Sequence, residues 1–238
     1  MRRILLVLLM SVFFATATSA QHTQIEGNFI FHPNLNKLAN TDGYGGGVEL
    51  TAGLGEYIKL IQGFSVEKSR VGDGISNFTQ RDITLQSSAR LYPVEAYYSL
   101  RPFVQGGVRA RFTRFQSDTV APLPGDPGRL VAENKFTFAS PFIGAGVNYK
   151  DYYIAEYNYY LPDFGSKLQS GILSTDDFRL VNGFYRERGH QVKAKGFIPM
   201  GKKFSFNPAY TLNRRSYEFR GPENDHQLTF GIAYKFDK

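Results

Sequence analysis

The sequence predicts an all-β fold, an antiparallel up-and-down transmembrane β-barrel of about ten strands, and three observations carry that reading. The closing segment alternates almost without error: Leu228, Phe230, Ile232, Tyr234 and Phe236 share one face, and Gln227, Thr229, Gly231, Ala233 and Lys235 share the other. About nine other segments repeat this period-two pattern with one apolar face. An export signal precedes them, so the chain is sent across a membrane before it folds.

The export signal is read from Met1-Arg2-Arg3 and the uncharged run Ile4 to Phe14 behind it. That run is too short to cross a bilayer as a helix, which takes roughly 20 residues. Small residues follow from Ala15 to Ala20, so residues 1–20 read as a signal peptide cut after Ala20, with Ala17 as the alternative site. The barrel domain is then 21–238. With Cys at 0, neither a disulfide framework nor a lipoprotein cysteine is expected. The net charge of +7 is spread among acids rather than gathered in a patch, which argues against a nucleic-acid site. Tyr at 15 and Phe at 21, with Trp at 0, mean that any interfacial girdle is built from Tyr and Phe. No cofactor motif is present, and none is expected.

Taken in order, the strands are expected at Gln24 to Phe31, Gly43 to Ala52 and Glu56 to Lys68. In the fourth, Ile83, Leu85, Ala89 and Leu91 oppose Gln80, Asp82, Thr84, Gln86, Ser88 and Arg90; in the fifth, Val104, Val108, Ala110 and Phe112 oppose Gln105, Gly107, Arg109 and Arg111. Lys135 to Tyr149, Tyr152 to Leu161 and Arg186 to Ile198 follow. In Lys203 to Tyr217, Phe204, Phe206, Pro208, Tyr210 and Leu212 oppose Ser205, Asn207, Ala209, Thr211 and Asn213, and the closing strand makes ten. An eight-stranded version follows if Gln24 to Phe31 is a leader and Arg186 to Ile198 pairs poorly. Short connections are expected near Gly53 to Gly55, Lys150 to Asp151 and Met200 to Lys202. Long ones are expected at Pro33 to Asp42, Ser69 to Asn77, Gln116 to Asn134, Pro162 to Gly183 and Arg220 to Asp225, with Tyr92 to Leu100 ambiguous. The alternation makes the long set extracellular and the short set periplasmic.

Alternation alone does not say which face points outward, so a water-soluble, lipocalin-like carrier is the competing architecture. The polar face favours a membrane barrel. It carries Glu26, Glu49, Lys59, Glu67, Asp82, Arg90, Arg109, Arg111, Glu156, Lys193, Lys195 and Lys235 among Gly, Ser and Thr, as a narrow lumen filled by its own paired charges would.

Three stretches carry a family likeness: Leu100-Arg101-Pro102-Phe103-Val104-Gln105-Gly106-Gly107-Val108, then Pro141-Phe142-Ile143-Gly144-Ala145-Gly146-Val147, and the closing strand. In them the chain resembles the bacterial outer-membrane β-barrel superfamily that includes the small OmpA-like and opacity-type proteins. The resemblance spans the mature chain and rests on pattern, not on a signature motif. It implies residence in the cell outer membrane, contact with outer-membrane lipid, and insertion by the barrel-assembly machinery through a C-terminal aromatic. Phe236 would be that residue, with Tyr234 and Ile232 in step, although Asp237 and Lys238 overhang it, unlike the commonest form. The resemblance does not imply the peptidoglycan-tethering role of longer relatives, since no peptidoglycan-binding domain is expected.

Ten strands also invite comparison with omptin-type proteases, whose rim holds acids and a histidine that activate water. Glu223, Asp225 and His226 are the nearest match here, with Asp176 and Asp177 as further acids, but the omptin spacing is not reproduced and no catalysis is expected. His190 lies on the apolar parity of its strand without a neighbouring serine nucleophile, and the four histidines lack metal-ligand spacing. A narrow porin-like channel is the main functional rival to a structural, surface-interacting barrel. An extracellular ligand would be met by loops 116–134 and 162–183. The rigid Ala121 to Gly128 run falls in the first of these.

Overall fold

The computed structural model describes residues 22–33, 40–72, 77–95, 98–117, 133–161, 167–170, 188–216 and 223–237. The predicted signal peptide, Asp176 and Asp177, and Ala121 to Gly128 lie outside them. The strands are β1 (His22–His32), β2 (Asn40–Leu54), β3 (Ile58–Gly72), β4 (Asn77–Leu91), β5 (Leu100–Ser117), β6 (Glu133–Tyr149), β7 (Tyr153–Tyr160), β8 (Lys167–Ser170), β9 (Arg188–Gly196), β10 (Ile198–Pro199), β11 (Phe204–Ser216) and β12 (Glu223–Asp237). Ten of them form a closed antiparallel ring: β1 to β7 pair in sequence, β7 pairs with β9, β9 with β11, β11 with β12, and β12 with β1. The two-residue β10 continues β9 along β11. Closure gives each of these ten strands a neighbour on both sides, which a bilayer demands because lipid offers no hydrogen bonds to a bare strand.

The ladder puts the two faces of each strand on opposite sides of the wall. Outward positions hold Ile25, Phe29, Val48, Phe64, Val66, Ile83, Val104, Val108, Ile143, Phe230 and Ile232, all exposed. Inward positions hold Glu26, Asn158, Asn207, Thr211 and Asn213, all buried. Apolar residues dominate the outside and polar ones most of the inside, with a few buried apolar side chains such as Ile30 and Phe103 among them, the inverse of a water-soluble barrel. Tyr57, Tyr98, Tyr149, Tyr152, Tyr153, Phe204 and Phe236 ring the outer surface at the end where the connections are short, as an aromatic girdle does.

Those short connections are shaped by local chemistry. Gly55, at φ 69°, turns β2 into β3. Between β6 and β7 the left-handed positions are Lys150 and Asp151, at φ 50° and 54°. Asn148 tethers this turn, its Nδ2 donating to Asp151 Oδ1 at 2.6 Å and its Oδ1 accepting from the Asp151 N–H at 3.1 Å.

At the opposite end the strands run further than the sequence suggested. β2 starts at Asn40, β3 reaches Gly72, β4 starts at Asn77, β5 reaches Ser117, β6 starts at Glu133 and β12 at Glu223, all within stretches expected to be loops. The apolar alternation stops near the bilayer edge, but backbone pairing continues because each added rung satisfies two more peptide groups. Within the expected loop 162–183, the four-residue β8 pairs three of its residues, Lys167, Leu168 and Ser170, with the upper end of β6. The ambiguous stretch after Tyr92 is a connection at the short-turn end, with Tyr92 folded into the barrel mouth and only 2% exposed.

Candidate functional site

The lumen gathers most of the charged and amide side chains the sequence placed on the inner face. Nearest the short-turn end is an aromatic and cationic layer. Tyr92 and Phe103 lie with ring centroids 5.4 Å apart. Arg101 sits over the Tyr92 ring at 4.3 Å and Arg90 over the Phe103 ring at 4.2 Å. Arg101 Nη2 also donates to the Glu56 carbonyl at 2.7 Å, tying the layer to the β2–β3 turn. Lys59 is at the same end, its Nζ 3.9 Å from Asp151 Oδ1.

Above this layer two ion-pair clusters cross the lumen. Lys195 of β9 contacts Glu26 of β1 at 2.8 Å and Glu49 of β2 at 3.1 Å. Asn207 Nδ2 donates to the same oxygen that Lys195 contacts, Glu26 Oε2, at 2.5 Å. Arg90 of β4 contacts Glu156 of β7 at 2.6 Å. None of these partners is on an adjacent strand: β9 reaches β1 only through β11 and β12, and β4 reaches β7 through β5 and β6. The side chains therefore stretch across the bore instead of along its wall.

Small residues make room for them. A Cβ on Gly231 would strike the Glu26 carboxylate and the Asn28 amide, and one on Gly144 would strike the Asn158 amide.

A continuous chain of polar side chains runs round the wall from this layer. Arg90 Nε donates to Gln105 Oε1 at 3.1 Å, Gln105 Nε2 to Asn158 Oδ1 at 2.5 Å, and Asn158 Nδ2 to Gln191 Oε1 at 3.0 Å. Gln191 Nε2 then donates to Asn213 Oδ1 at 2.9 Å, and Asn213 Nδ2 to Asp225 Oδ2 at 3.3 Å. It ends on His32, the last residue of β1. His32 Nδ1 lies 3.2 Å from Asp225 Oδ1, and its Nε2 lies 2.7 Å from Glu67 Oε2. Both ring nitrogens face carboxylates, so both carry a proton and His32 is an imidazolium clamp between β12 and β3. Ser65 Oγ donates to the other Glu67 oxygen at 2.8 Å.

Between the clamp and the ion-pair layer lies a cavity of about 190 Å³, lined by Glu49, Asp82, Arg109, Arg111, Lys193 and Gln191 among others. Arg109 stacks on the Tyr160 ring at 4.0 Å. Asp82 accepts from Gln80 at 2.6 Å and Thr113 at 2.5 Å. A cavity of this size admits several waters among its charged side chains. Lys235, near the end of β12, is exposed.

Asp225 and His226, the nearest sequence match to a catalytic rim, do not form a pair. Asp225 points inward to His32 and Asn213, whereas His226 points outward, its Nδ1 2.7 Å from the Tyr210 hydroxyl. Adjacent residues on a strand face opposite sides, so an Asp-His dipeptide there separates its two side chains. His190 is outward as its parity implied, 2.6 Å from the Tyr157 hydroxyl. Sequence reasoning missed His32 because it sits beyond the apolar run of β1. Gln105 and Asn207 were placed on the polar face without being singled out, and Asn158 and Gln191 were passed over because amides carry no charge, although inward parity could have found them.

No protein-family model and no curated protein matches the chain. Among solved structures, the translocator domain of the autotransporter NalP from Neisseria meningitidis aligns with TM-score 0.52 at 12% identity, over 99% of this chain and 96% of that one. The outer membrane protease OmpT from Escherichia coli aligns with TM-score 0.50 at 11% identity, over 91% of this chain and 96% of that one. This is the fold of the bacterial outer-membrane β-barrels. At such identities the likeness is one of fold alone, so the lumen must be read on its own residues.

Proposed function

We propose that the chain is an outer-membrane barrel whose lumen is closed by its own side chains, and whose role is to stabilise the membrane and display its long connections at the cell surface. In this reading residues 1–20 are the export signal, Phe236 with Tyr234 and Ile232 is the signal for insertion, and the ends of β2 to β6 that bear the long connections face outward from the cell. Partners are outer-membrane lipid, the insertion machinery, and a surface ligand met by 116–134 or 162–183.

The observation that carries the reading is the pair of clusters across the bore, Lys195 with Glu26 and Glu49, and Arg90 with Glu156. A solute would have to break both, and truncating one partner of a buried pair costs about 3–5 kcal/mol. A narrow channel is the second reading, favoured by the chamber that Arg109, Arg111 and Lys193 line. Catalysis finds less support: an imidazolium with carboxylates on both nitrogens has no lone pair with which to take a proton from water.

Liposome swelling with the refolded chain separates the two readings. A closed barrel gives no faster entry of small sugars or of amino acids of either charge than empty vesicles, and rapid entry of any of them establishes the channel.

A further inference from the structure

We propose that the inner wall over β12 binds an alkali-metal cation through oxygens of Glu26, Asn28, Ser205 and Asn207. The register lays these residues out in two rungs that run from β11 across β12 to β1. Ser205, Ala233 and Glu26 form one rung, and Asn207, Gly231 and Asn28 form the next. All six share the inward parity, and all but the half-buried Asn28 are buried. The two β12 positions carry almost no side chain, so side chains from β11 and β1 lean over them and meet. Asn207 Nδ2 reaches Glu26 Oε2 although β11 and β1 are not neighbours. A Cβ on Gly231 would strike both Glu26 Oε1 and Asn28 Oδ1, so these two oxygens converge over the same glycine.

The cluster holds more acceptors than donors. Lys195 Nζ and Asn207 Nδ2 both go to Glu26 Oε2, at 2.8 and 2.5 Å. Glu26 Oε1, Asn28 Oδ1, Asn207 Oδ1 and Ser205 Oγ are left sealed from solvent with no hydrogen-bond partner in the chain. Only two other side-chain atoms among the described residues share that condition, Tyr92 Oη and Arg101 Nε, and both belong to the short-turn mouth. Four such oxygens on two adjacent rungs call for a ligand, because a buried acceptor without a donor forfeits the hydrogen bond it made to water. One water has two protons and would serve two of the four, whereas a cation can be shared by all of them. Carboxylate, amide and hydroxyl oxygens are the ligands of hard cations. Charge selects among these. Glu26 and Glu49 bring two negative charges, Lys195 returns one positive charge, and Lys193 lines the chamber beside Glu49. So little negative charge is left over that a single positive charge suits the site better than a double one.

The test unfolds the refolded barrel with urea, in neutral detergent micelles, in sodium, calcium or choline chloride at matched ionic strength. One ion bound only by the folded chain makes the folding constant proportional to its concentration above saturation. Exchanging choline for sodium should therefore stabilise the barrel, and each further tenfold rise in sodium should raise the folding constant about tenfold. Asn28→Leu and Ser205→Ala each remove one oxygen and should lose most of this dependence, whereas Tyr92→Phe, which removes the orphaned hydroxyl at the mouth, should keep all of it. Sodium NMR reads binding without unfolding: the sodium line should broaden with the folded wild type and with Tyr92→Phe, and stay narrow with Asn28→Leu. Equal stability in sodium and choline would overturn the proposal and mean that Asn28 turns its amide nitrogen onto Glu26 instead. Stabilisation by calcium alone would overturn the choice of a monovalent ion. Sodium dependence undiminished in both variants would overturn the site. Should Asn28→Leu fail to fold, Ser205→Ala alone must show the loss in both measurements.

Discussion

Replacing Lys195 with methionine removes the cation that bridges Glu26 and Glu49, at 2.8 and 3.1 Å, while keeping most of the length of the side chain. At an effective dielectric of about 20, each contact is worth about 5.5 kcal/mol of Coulomb energy before desolvation is subtracted. Desolvation offsets most of it, and truncation of one buried partner costs about 3–5 kcal/mol in practice. The two acids fare differently once alone. The Glu49 side chain is 26% exposed to the chamber and can be hydrated there, whereas Glu26, at 2%, cannot. The loss therefore belongs near the lower end, about 3 kcal/mol. With a urea slope of about 2 kcal/mol/M, that is a midpoint shift of about 1.5 M. Trp is 0, so the transition is followed by far-UV circular dichroism and by the mobility difference between folded and heated barrel, not by indole fluorescence. Glu26→Gln and Glu49→Gln added to Lys195→Met remove the stranded charges and should recover at least half of the shift. A Lys195→Met midpoint within about 0.3 M of wild type would refute the claim that this cluster holds the barrel closed.

Gly231→Ala should cost about 1–3 kcal/mol in the same urea assay, because the added methyl has to displace the Glu26 carboxylate or the Asn28 amide. His32→Ala should lower the midpoint by about 0.5–1 M, since it leaves Glu67 facing Asp225 without the cation between them, while His226→Ala shifts it by less than half as much, its ring lying on the outer wall. Phe236→Asp should empty the outer-membrane fraction of this protein in cells, and normal levels of that variant would contradict insertion through the closing strand. Tyr92→Ala should loosen the short-turn mouth by about 3–5 kcal/mol, as measured by the same midpoint, because Arg101 and Phe103 both pack on that ring.

The architecture was legible because a barrel writes one rule along its whole length. Phe204 to Asn213 alternates large apolar residues with polar or small ones, and the structure turns Phe204 out and Asn207, Thr211 and Asn213 in. What the alternation does not encode is partnership across the bore. Lys195 and Glu26 are far apart in sequence and three strands apart in the ring, so their contact follows from barrel diameter and stagger, which no local pattern reports. The extent of the hairpins above the bilayer was hidden for a related reason: pairing of Asn40 with Gly72 satisfies backbone groups whatever the side chains are. The same parity rule that located the lumen also shows why Asp225 and His226 could not act together, and Asp225 instead found His32, which had looked like one of several scattered histidines.

Single-channel conductance of the refolded wild-type chain in a planar bilayer, recorded beside the variant that combines Lys195→Ala, Glu26→Ala, Arg90→Ala and Glu156→Ala, tests closure of the lumen most directly. The expected result is a silent wild type across a series of salt concentrations and a variant that shows discrete, salt-dependent steps. Stable salt-dependent steps from the wild type would contradict closure and make Arg109, Arg111 and Lys193 the lining of an open pore.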